Sequence, residues 1–245
     1  MTALAALTER SVLGTVRDGD LVFAILGPIA FFVCFNITLR NVINTGGMSY
    51  AQYILPVIVI QAMIFTAMTT ADRSARDHLN GMGVRLRSLP LGRFAPVSAR
   101  MLSSLIRASA ALAAALATGY LFGFRFAGSV GYVVAFVVLA LGLSLALSLG
   151  ADAMGAVSQS AEAASQTLLV PQLLLVMLST GIAPATAFPG WLEPFVRNQP
   201  VSQISTTLRG FASGEQVNLG VSLAWCAGLL IAFGAIALRM QRRTT

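Results

Sequence analysis

Lysine is absent from this chain of 245 residues, and charged residues of any kind are scarce. All 16 basic residues are arginine, and charged residues make up only 10% of the chain, against roughly 25% in a soluble domain. A nucleotide-binding P-loop needs a lysine on the phosphates, so the chain carries no such site. Too few polar residues remain to cover a water-soluble fold, and the sequence therefore predicts an integral membrane protein.

Histidine and cysteine are nearly absent as well. The single histidine, His78, and the two cysteines, Cys34 and Cys226, are too few for a zinc site of the two-histidine or cysteine-rich kind. Both cysteines lie inside apolar stretches, which indicates buried hydrophobic side chains rather than redox groups. The net charge is +7, but the arginines lie between long apolar runs, so nucleic acid is not an expected partner.

Long hydrophobic runs are the main feature of the sequence. A helix that crosses a hydrocarbon core of about 30 Å needs about 20 mostly apolar residues. Arg107, near the start of the third run, is expected to extend toward the lipid headgroups. Six segments qualify as spans: Leu21–Leu39, Tyr53–Ala71, Leu102–Phe124, Val130–Ala151, Thr167–Ala185 and Val217–Leu238.

The distribution of arginine predicts the orientation of these spans. With both termini in the cytoplasm, twelve arginines lie on the inner side and four lie outside. Such a bias is the usual positive-inside signal of a plasma-membrane protein. The four outer arginines are Arg40, Arg125, Arg197 and Arg209.

Residues 1–20 are too polar to span the membrane but carry an amphipathic pattern. Leucine and valine side chains share one broad face of a helix, while Arg10 and Arg17 fall mainly elsewhere. We predict an interface helix at 1–20 that precedes a membrane domain at 21–245. A partly ordered tail is the alternative.

The loop at 72–100 is the main cytoplasmic feature. Its apolar residues Leu79, Met82, Leu86 and Leu89 recur at helical spacing, and Arg85 and Arg87 flank the stripe. These six residues predict a short coupling helix that docks a partner protein. Alternatively, the arginines of this loop only set the topology and contact lipid phosphates.

The segment at 186–216 is unusually apolar for an outer loop. We predict two short helices, re-entrant or interfacial, with Ser202 as a candidate cap of the second. An aromatic belt at the outer interface is the alternative. The residues expected to form an apolar gate or exit surface are Trp191, Phe195, Ile204 and Leu208.

The span interiors exclude some classes of membrane protein. Ion-coupled transporters place a titratable group near the middle of the membrane, and these spans hold no acid there. Their polar residues, among them Gln61, Thr66, Thr69 and Thr70, are too scattered to indicate a pore. These exclusions leave a membrane subunit whose energy is supplied by a cytoplasmic partner.

Three stretches also resemble the permeases of type-2 ABC exporters, most closely the daunorubicin-resistance branch. They are Arg85–Leu91 in the cytoplasmic loop, Gly119–Phe126 at the end of the third span, and Phe188–Ser202 followed by Leu208-Arg209-Gly210. The last stretch is the most specific, and the layout of spans extends the resemblance over nearly the whole chain. The loop after Asp72 lacks the glutamates that many family members carry.

The resemblance implies an all-α fold of six transmembrane helices with an N-terminal interface helix, a cytoplasmic coupling helix and an extracellular helical hairpin. It also implies a second permease, identical or related, and two copies of a separate ATPase that binds ATP and magnesium, so that this chain needs no cofactor of its own. The implied cargo is a hydrophobic or amphipathic drug or an envelope lipid. A non-transporting scaffold that recruits a cytoplasmic partner is the other hypothesis.

Overall fold

A computed structural model describes residues 19–43, 47–82, 95–215 and 219–243. These described residues are mostly helical. The helices with defined bounds are α1 (Asp20–Leu39), α2 (Tyr50–Leu79), α3 (Ala95–Leu121), α4 (Val130–Val157), α5 (Ala161–Met177), a 3₁₀ turn (Ala185–Ala187), α6 (Glu193–Asn198), α7 (Pro200–Ser213) and α8 (Leu219–Arg243).

Local sequence signals explain several helix ends. Ser49 precedes α2, and its Oγ accepts a hydrogen bond from the backbone N–H of Gln52 at 3.2 Å. Ser160 precedes α5 and caps it in the same way through the N–H of Ala163. Such caps satisfy donors that the first helical turn leaves unpaired. Gly214 ends α7 at φ +73°, a conformation that glycine adopts without steric cost.

Helix α2 is the centre of the bundle. It packs against α1, α3, α4, α5 and α7, and most of its side chains are buried. It packs tightly against α4, where a Cβ atom at Gly155 would overlap the carbonyl oxygen of Ala71. In lipid no hydrophobic effect drives helices together, so their association depends on close van der Waals packing. Small residues at the contact permit that packing.

The bundle has two ends that differ in their charges. At the Arg100 end, α1, α3 and α5 begin and α2 and α4 end, and the side chains of Asp20, Arg73 and Arg100 lie there. At the opposite end, called the Arg209 end, α2 and α4 begin, α7 packs on the bundle, and α6 packs on α7 and the 3₁₀ turn.

Five of the described helices are long and apolar enough to cross a membrane: α1, α2, α3, α4 and α8. The fifth segment of the sequence prediction, Thr167–Ala185, is only partly helical. Its helix α5 begins six residues earlier and ends at Met177, so that it has 17 residues. At 1.5 Å per residue such a helix is about 25 Å long, which is shorter than a typical hydrocarbon core.

Candidate cargo and coupling site

An ion-pair cluster at the Arg100 end joins three helices. The guanidinium of Arg100, at the beginning of α3, donates two hydrogen bonds to the carboxylate of Asp152 on α4, at 2.6 and 3.1 Å. Its Nη1 also lies 3.9 Å from Oδ2 of Asp77 on α2. Ser74 of α2 donates to the backbone carbonyl of Asp152 at 2.8 Å. Both sides of the loop between α2 and α3 are therefore attached to α4.

A second ion pair joins α1 to the same region. Nε of Arg73 donates to the carboxylate of Asp20 at 2.7 Å, which ties the first residue of α1 to α2. Asp72, the residue before Arg73, accepts from the more exposed Arg76 within α2 at 2.9 Å. A displacement of the loop at its α2 side would therefore reach α1 through the Arg73–Asp20 pair, and a displacement at its α3 side would reach α4.

Arg107 does not extend to the headgroups, so the expectation for this residue is wrong. Its side chain is only 1% exposed and lies inside the bundle. Nη1 donates to Ser103 Oγ at 3.0 Å, and Nη2 donates to Thr70 Oγ1 at 2.9 Å. These short polar residues on α2 and α3 supply acceptors inside the protein, so the guanidinium is solvated without leaving the bundle.

Next to Arg107 lies a cavity of about 430 Å³, with most of its wall supplied by α1 and α2. Its lining has two chemical zones. Asp20, Asp72 and Arg107 are the charged lining residues, and Thr66, Thr69 and Ser165 are neutral polar ones. The apolar zone includes the rings of Phe23, Phe31 and Phe65.

The two zones differ in depth. Asp20 is the first residue of α1, and Phe31 lies eleven residues further along it, or about 16 Å deeper at the helical rise. The carboxylates and Phe23 therefore lie at the Arg100 end, and Phe31 and Phe65 extend toward the middle of the bundle. A cavity with a charged mouth and an aromatic interior suits an amphipathic molecule.

The Arg209 end is held by neutral acceptors and aromatic rings. The guanidinium of Arg209 on α7 lies 3.8 Å from the ring centroid of Tyr53 and donates to the backbone carbonyls of Tyr53 and Thr180 at 3.1 and 3.2 Å. The hydroxyl of Tyr53 also donates to the Thr180 carbonyl at 2.7 Å. Burial lowers the pKa of Arg209 from its ordinary value, and the interaction with Tyr53 opposes that shift.

Ser202 has a different role from the predicted helix cap. Helix α7 begins at Pro200, and its cap residue, Gln199, makes no side-chain capping hydrogen bond. The Oγ of Ser202 instead accepts from the N–H of Thr180 at 3.0 Å, beyond the end of α5. This contact ties α7 to the segment that follows α5.

The four predicted exit residues do not form one exposed surface. Trp191 is 80% exposed and Phe195 is half exposed, but Ile204 and Leu208 are 1% and 0% exposed. The helical face of α7 that carries them packs into the main core of the bundle. Of these four residues, Trp191 and Phe195 are therefore exposed at this end.

Four of the six predicted coupling residues lie outside the described residues: Arg85, Leu86, Arg87 and Leu89. Arg10 and Arg17 of the predicted interface helix also lie outside them. Leu79 is exposed and is the last residue of α2. A turn at Asn80 and Gly81 follows it, with Gly81 at φ +67°. Leu79 therefore ends the second span's helix and is separated from Met82 by this turn, and the predicted coupling helix stays a prediction.

Sequence reasoning missed the cavity because its polar residues come from different helices. Thr66 and Thr69 line it, and Thr70 bonds Arg107, although the sequence shows them only as scattered polar residues. The available signal was an arginine within an apolar run, since buried charges in membrane helices mark functional pathways. Within the described ranges, no three histidine, cysteine or acidic side chains are grouped so as to hold a metal ion.

Comparison with known proteins identifies the family. The sequence profile described as ABC-2 family transporter protein matches residues 35–239, most of the chain. The chain belongs to the ABC-2 transporter family. It is therefore a multi-pass permease subunit of an ATP-driven exporter, and its relatives are transport subunits rather than ATPases.

The similar ABC-2 proteins are permeases of the drug-resistance branch. The probable doxorubicin resistance permease DrrC of Mycobacterium tuberculosis is 31% identical over 249 residues, covering 97% of this chain and 88% of that protein. DrrB of the same organism is 34% identical, covering 89% and 78%. The daunorubicin resistance permease DrrB1 of Streptomyces coeruleorubidus is 27% identical, covering 91% and 80%.

Proposed function

We propose that this permease exports a hydrophobic or amphipathic molecule, a drug or an envelope lipid, which it takes from the inner side of the membrane. The cavity beside Arg107 carries the proposal, because its charged mouth and aromatic interior match the two parts of such a cargo. The names of the relatives, which specify doxorubicin and daunorubicin, support a drug of this chemical class.

The Arg100 end faces the cytoplasm in this proposal, with six spans and both termini inside. The positive-inside bias of the arginines supports this orientation. A cysteine placed at Glu215, which is exposed beyond α7, should react with an impermeant maleimide in intact cells, whereas one at Thr244 should not. Both belong in a background without Cys34 and Cys226, and labelling of Thr244 in intact cells would contradict the orientation.

Energy comes from a separate ATPase, two copies of which work with two permeases, this chain being one of them. The ATPase docks on the loop at 72–100, where an apolar stripe provides affinity and flanking arginines provide orientation toward carboxylates. The ion pairs from Arg73 and Arg100 then carry its movement to α1 and α4, and so to the cavity. Trp191 and Phe195 lie at the outer exit.

Filling the cavity tests the proposed cargo site. Gly27 of α1 lines the cavity, and a side chain there would meet open space. Gly27→Leu should therefore fold normally but reduce ATP-dependent doxorubicin movement in vesicles that contain the permease and its ATPase. Gly142→Leu is the matched control, because Gly142 also has open space around it but lies on α4, away from the cavity. Equal transport by both variants would contradict the cargo site.

Charge reversal tests the docking loop. Arg85→Glu with Arg87→Glu should weaken ATPase association by several kcal/mol, because like charges would then meet across the interface. Leu86→Asp should act in the same direction by burying a charge. Reversal of Arg242 and Arg243 is the matched control. Co-purification of the ATPase at the wild-type level with both loop variants would mean that the loop only sets topology.

A further inference from the structure

Two glutamines are buried in the bundle without hydrogen-bond partners. Gln61 on α2 is 2% exposed and Gln172 on α5 is 3% exposed. Among the residues that the structure describes, no group bonds the side-chain oxygen or nitrogen of either amide. A primary amide offers two donors and an acceptor. Removing these groups from water without new hydrogen bonds costs free energy and destabilises the fold. A leucine or methionine at either position would avoid that cost.

The two amides lie at the same level of the bundle. Helices α2 and α5 are antiparallel neighbours, and near the Arg100 end alanines of both helices share a buried cluster. Gln61 precedes Ala71 of that cluster by ten residues, and Gln172 follows Ala161 and Ala164 by eleven and eight residues. Similar distances along antiparallel helices bring the two glutamines to about the same depth.

Each glutamine continues a helix face that lines the cavity. Phe65, Met68 and Asp72 line it from α2, and they follow Gln61 by four, seven and eleven residues. Ser165 lines it from α5 and precedes Gln172 by seven residues. Residues at these spacings lie on one face of an α-helix. The amides therefore lie beyond the deep, apolar zone of the cavity, on the side toward the Arg209 end.

We propose that Gln61 and Gln172 form a deep subsite that hydrogen-bonds the uncharged oxygen groups, hydroxyl or carbonyl, of an amphipathic cargo. The apolar part of that cargo lies against the phenylalanines, and its charged group stays at the mouth near Asp20 and Asp72. A neutral amide pair matches neutral donors and acceptors, whereas a charged group at this depth would lack a counter-charge. This subsite rests on the proposed export function.

The test compares two oxygen-bearing amphipaths, doxorubicin and a fluorescent phosphatidylethanolamine, on the complete permease–ATPase complex in lipid nanodiscs. Gln61→Met with Gln172→Met should weaken binding of the true cargo about tenfold, while thermal stability stays equal or rises because two unbonded amides are gone. The probe whose affinity falls identifies whether drug or lipid uses the subsite. Ser144→Ala is the control, because Ser144 is a buried hydroxyl with no hydrogen bond, on α4, which does not line the cavity.

Unchanged affinity of the double variant for both probes would overturn the subsite. A fall in thermal stability with wild-type affinity would also overturn it, since it would mean that the amides serve only internal packing. If the double variant does not fold, the single variants Gln61→Met and Gln172→Met give the same comparison. Failure of the export function is recognised separately, because the wild-type complex would then bind a probe but transport neither of the two probes in response to ATP.

Discussion

At the Arg100 end the guanidinium groups of Arg73 and Arg100 pair with carboxylates from other helices, whereas at the Arg209 end the guanidinium of Arg209 contacts backbone carbonyls and a tyrosine ring. Carboxylates belong to side chains that can change partner, and the strength of an ion pair depends on how much water reaches it. Backbone carbonyls move only with their helix. The comparison predicts a movable Arg100 end and a rigid Arg209 end.

The largest effect is expected from a charge in the rigid end. Leu208→Asp would place a carboxylate at a fully buried position against the core, so we expect loss of folded permease rather than a selective loss of export. Leu208→Met keeps the volume and should cost less than about 1.5 kcal/mol. Size-exclusion profiles in detergent measure both, and a well-folded Leu208→Asp protein would contradict the buried position.

Removing one partner of the partly buried Arg100–Asp152 ion pair is expected to have the next largest effect. Asp152→Ala leaves Arg100 without its main partner and should cost at most about 3–5 kcal/mol of stability, the cost for a fully buried pair. The double variant Arg100→Leu, Asp152→Leu should recover much of the melting temperature but not the ATP-driven export, because the link between the loop and α4 is gone. Export at the wild-type rate by the double variant would show that this pair has no coupling role.

An exposed ion pair is the control for the Arg100–Asp152 pair. Arg197 and Glu193 are an i, i+4 pair on α6, and the Arg197 side chain is largely exposed. Pairs of this kind contribute about 0.3–0.5 kcal/mol. Arg197→Ala should therefore leave both the melting temperature and export near their wild-type values.

A loss smaller than that of Asp152→Ala, but larger than that of Arg197→Ala, is expected at the Arg209 contact. Arg209→Lys removes the planar group that lies over Tyr53 and donates to two carbonyls, so stability should fall by about 1–3 kcal/mol. Tyr53→Phe keeps the ring but loses the bond to Thr180, at about 1 kcal/mol. In both variants the export rate per ATP hydrolysed should stay constant, and its loss would show that this end also moves.

The smallest effect on stability is expected at the exposed aromatic residue. Trp191→Ala should change stability by no more than about 0.5 kcal/mol, because the side chain is 80% exposed. It should nevertheless reduce export if cargo leaves past Trp191 and Phe195. Trp225→Ala on α8 is the matched control. Equal export by the two variants would assign Trp191 to an interfacial belt.

Sequence patterns were sufficient for much of the fold. Apolar runs located α1 to α4 and α8, and the apolar residues of the segment at 186–216 located α7. The apolar pattern of α7 cannot reveal what its face contacts, because lipid chains and protein interiors are equally apolar. The sequence therefore predicts a surface position for Ile204 and Leu208, whereas the structure places them in the core.

The membrane class, the helical segments, the positive-inside bias and the family resemblance were determined by the sequence alone, since they depend on composition and local order. Tertiary structure alone decided that Arg107 is solvated by Thr70 and Ser103, and that a cavity forms beside it. It also decided that Gln61 and Gln172 lie at one depth beyond that cavity. Such features require the relative rotation and depth of different helices, which are set by packing between residues far apart in the chain.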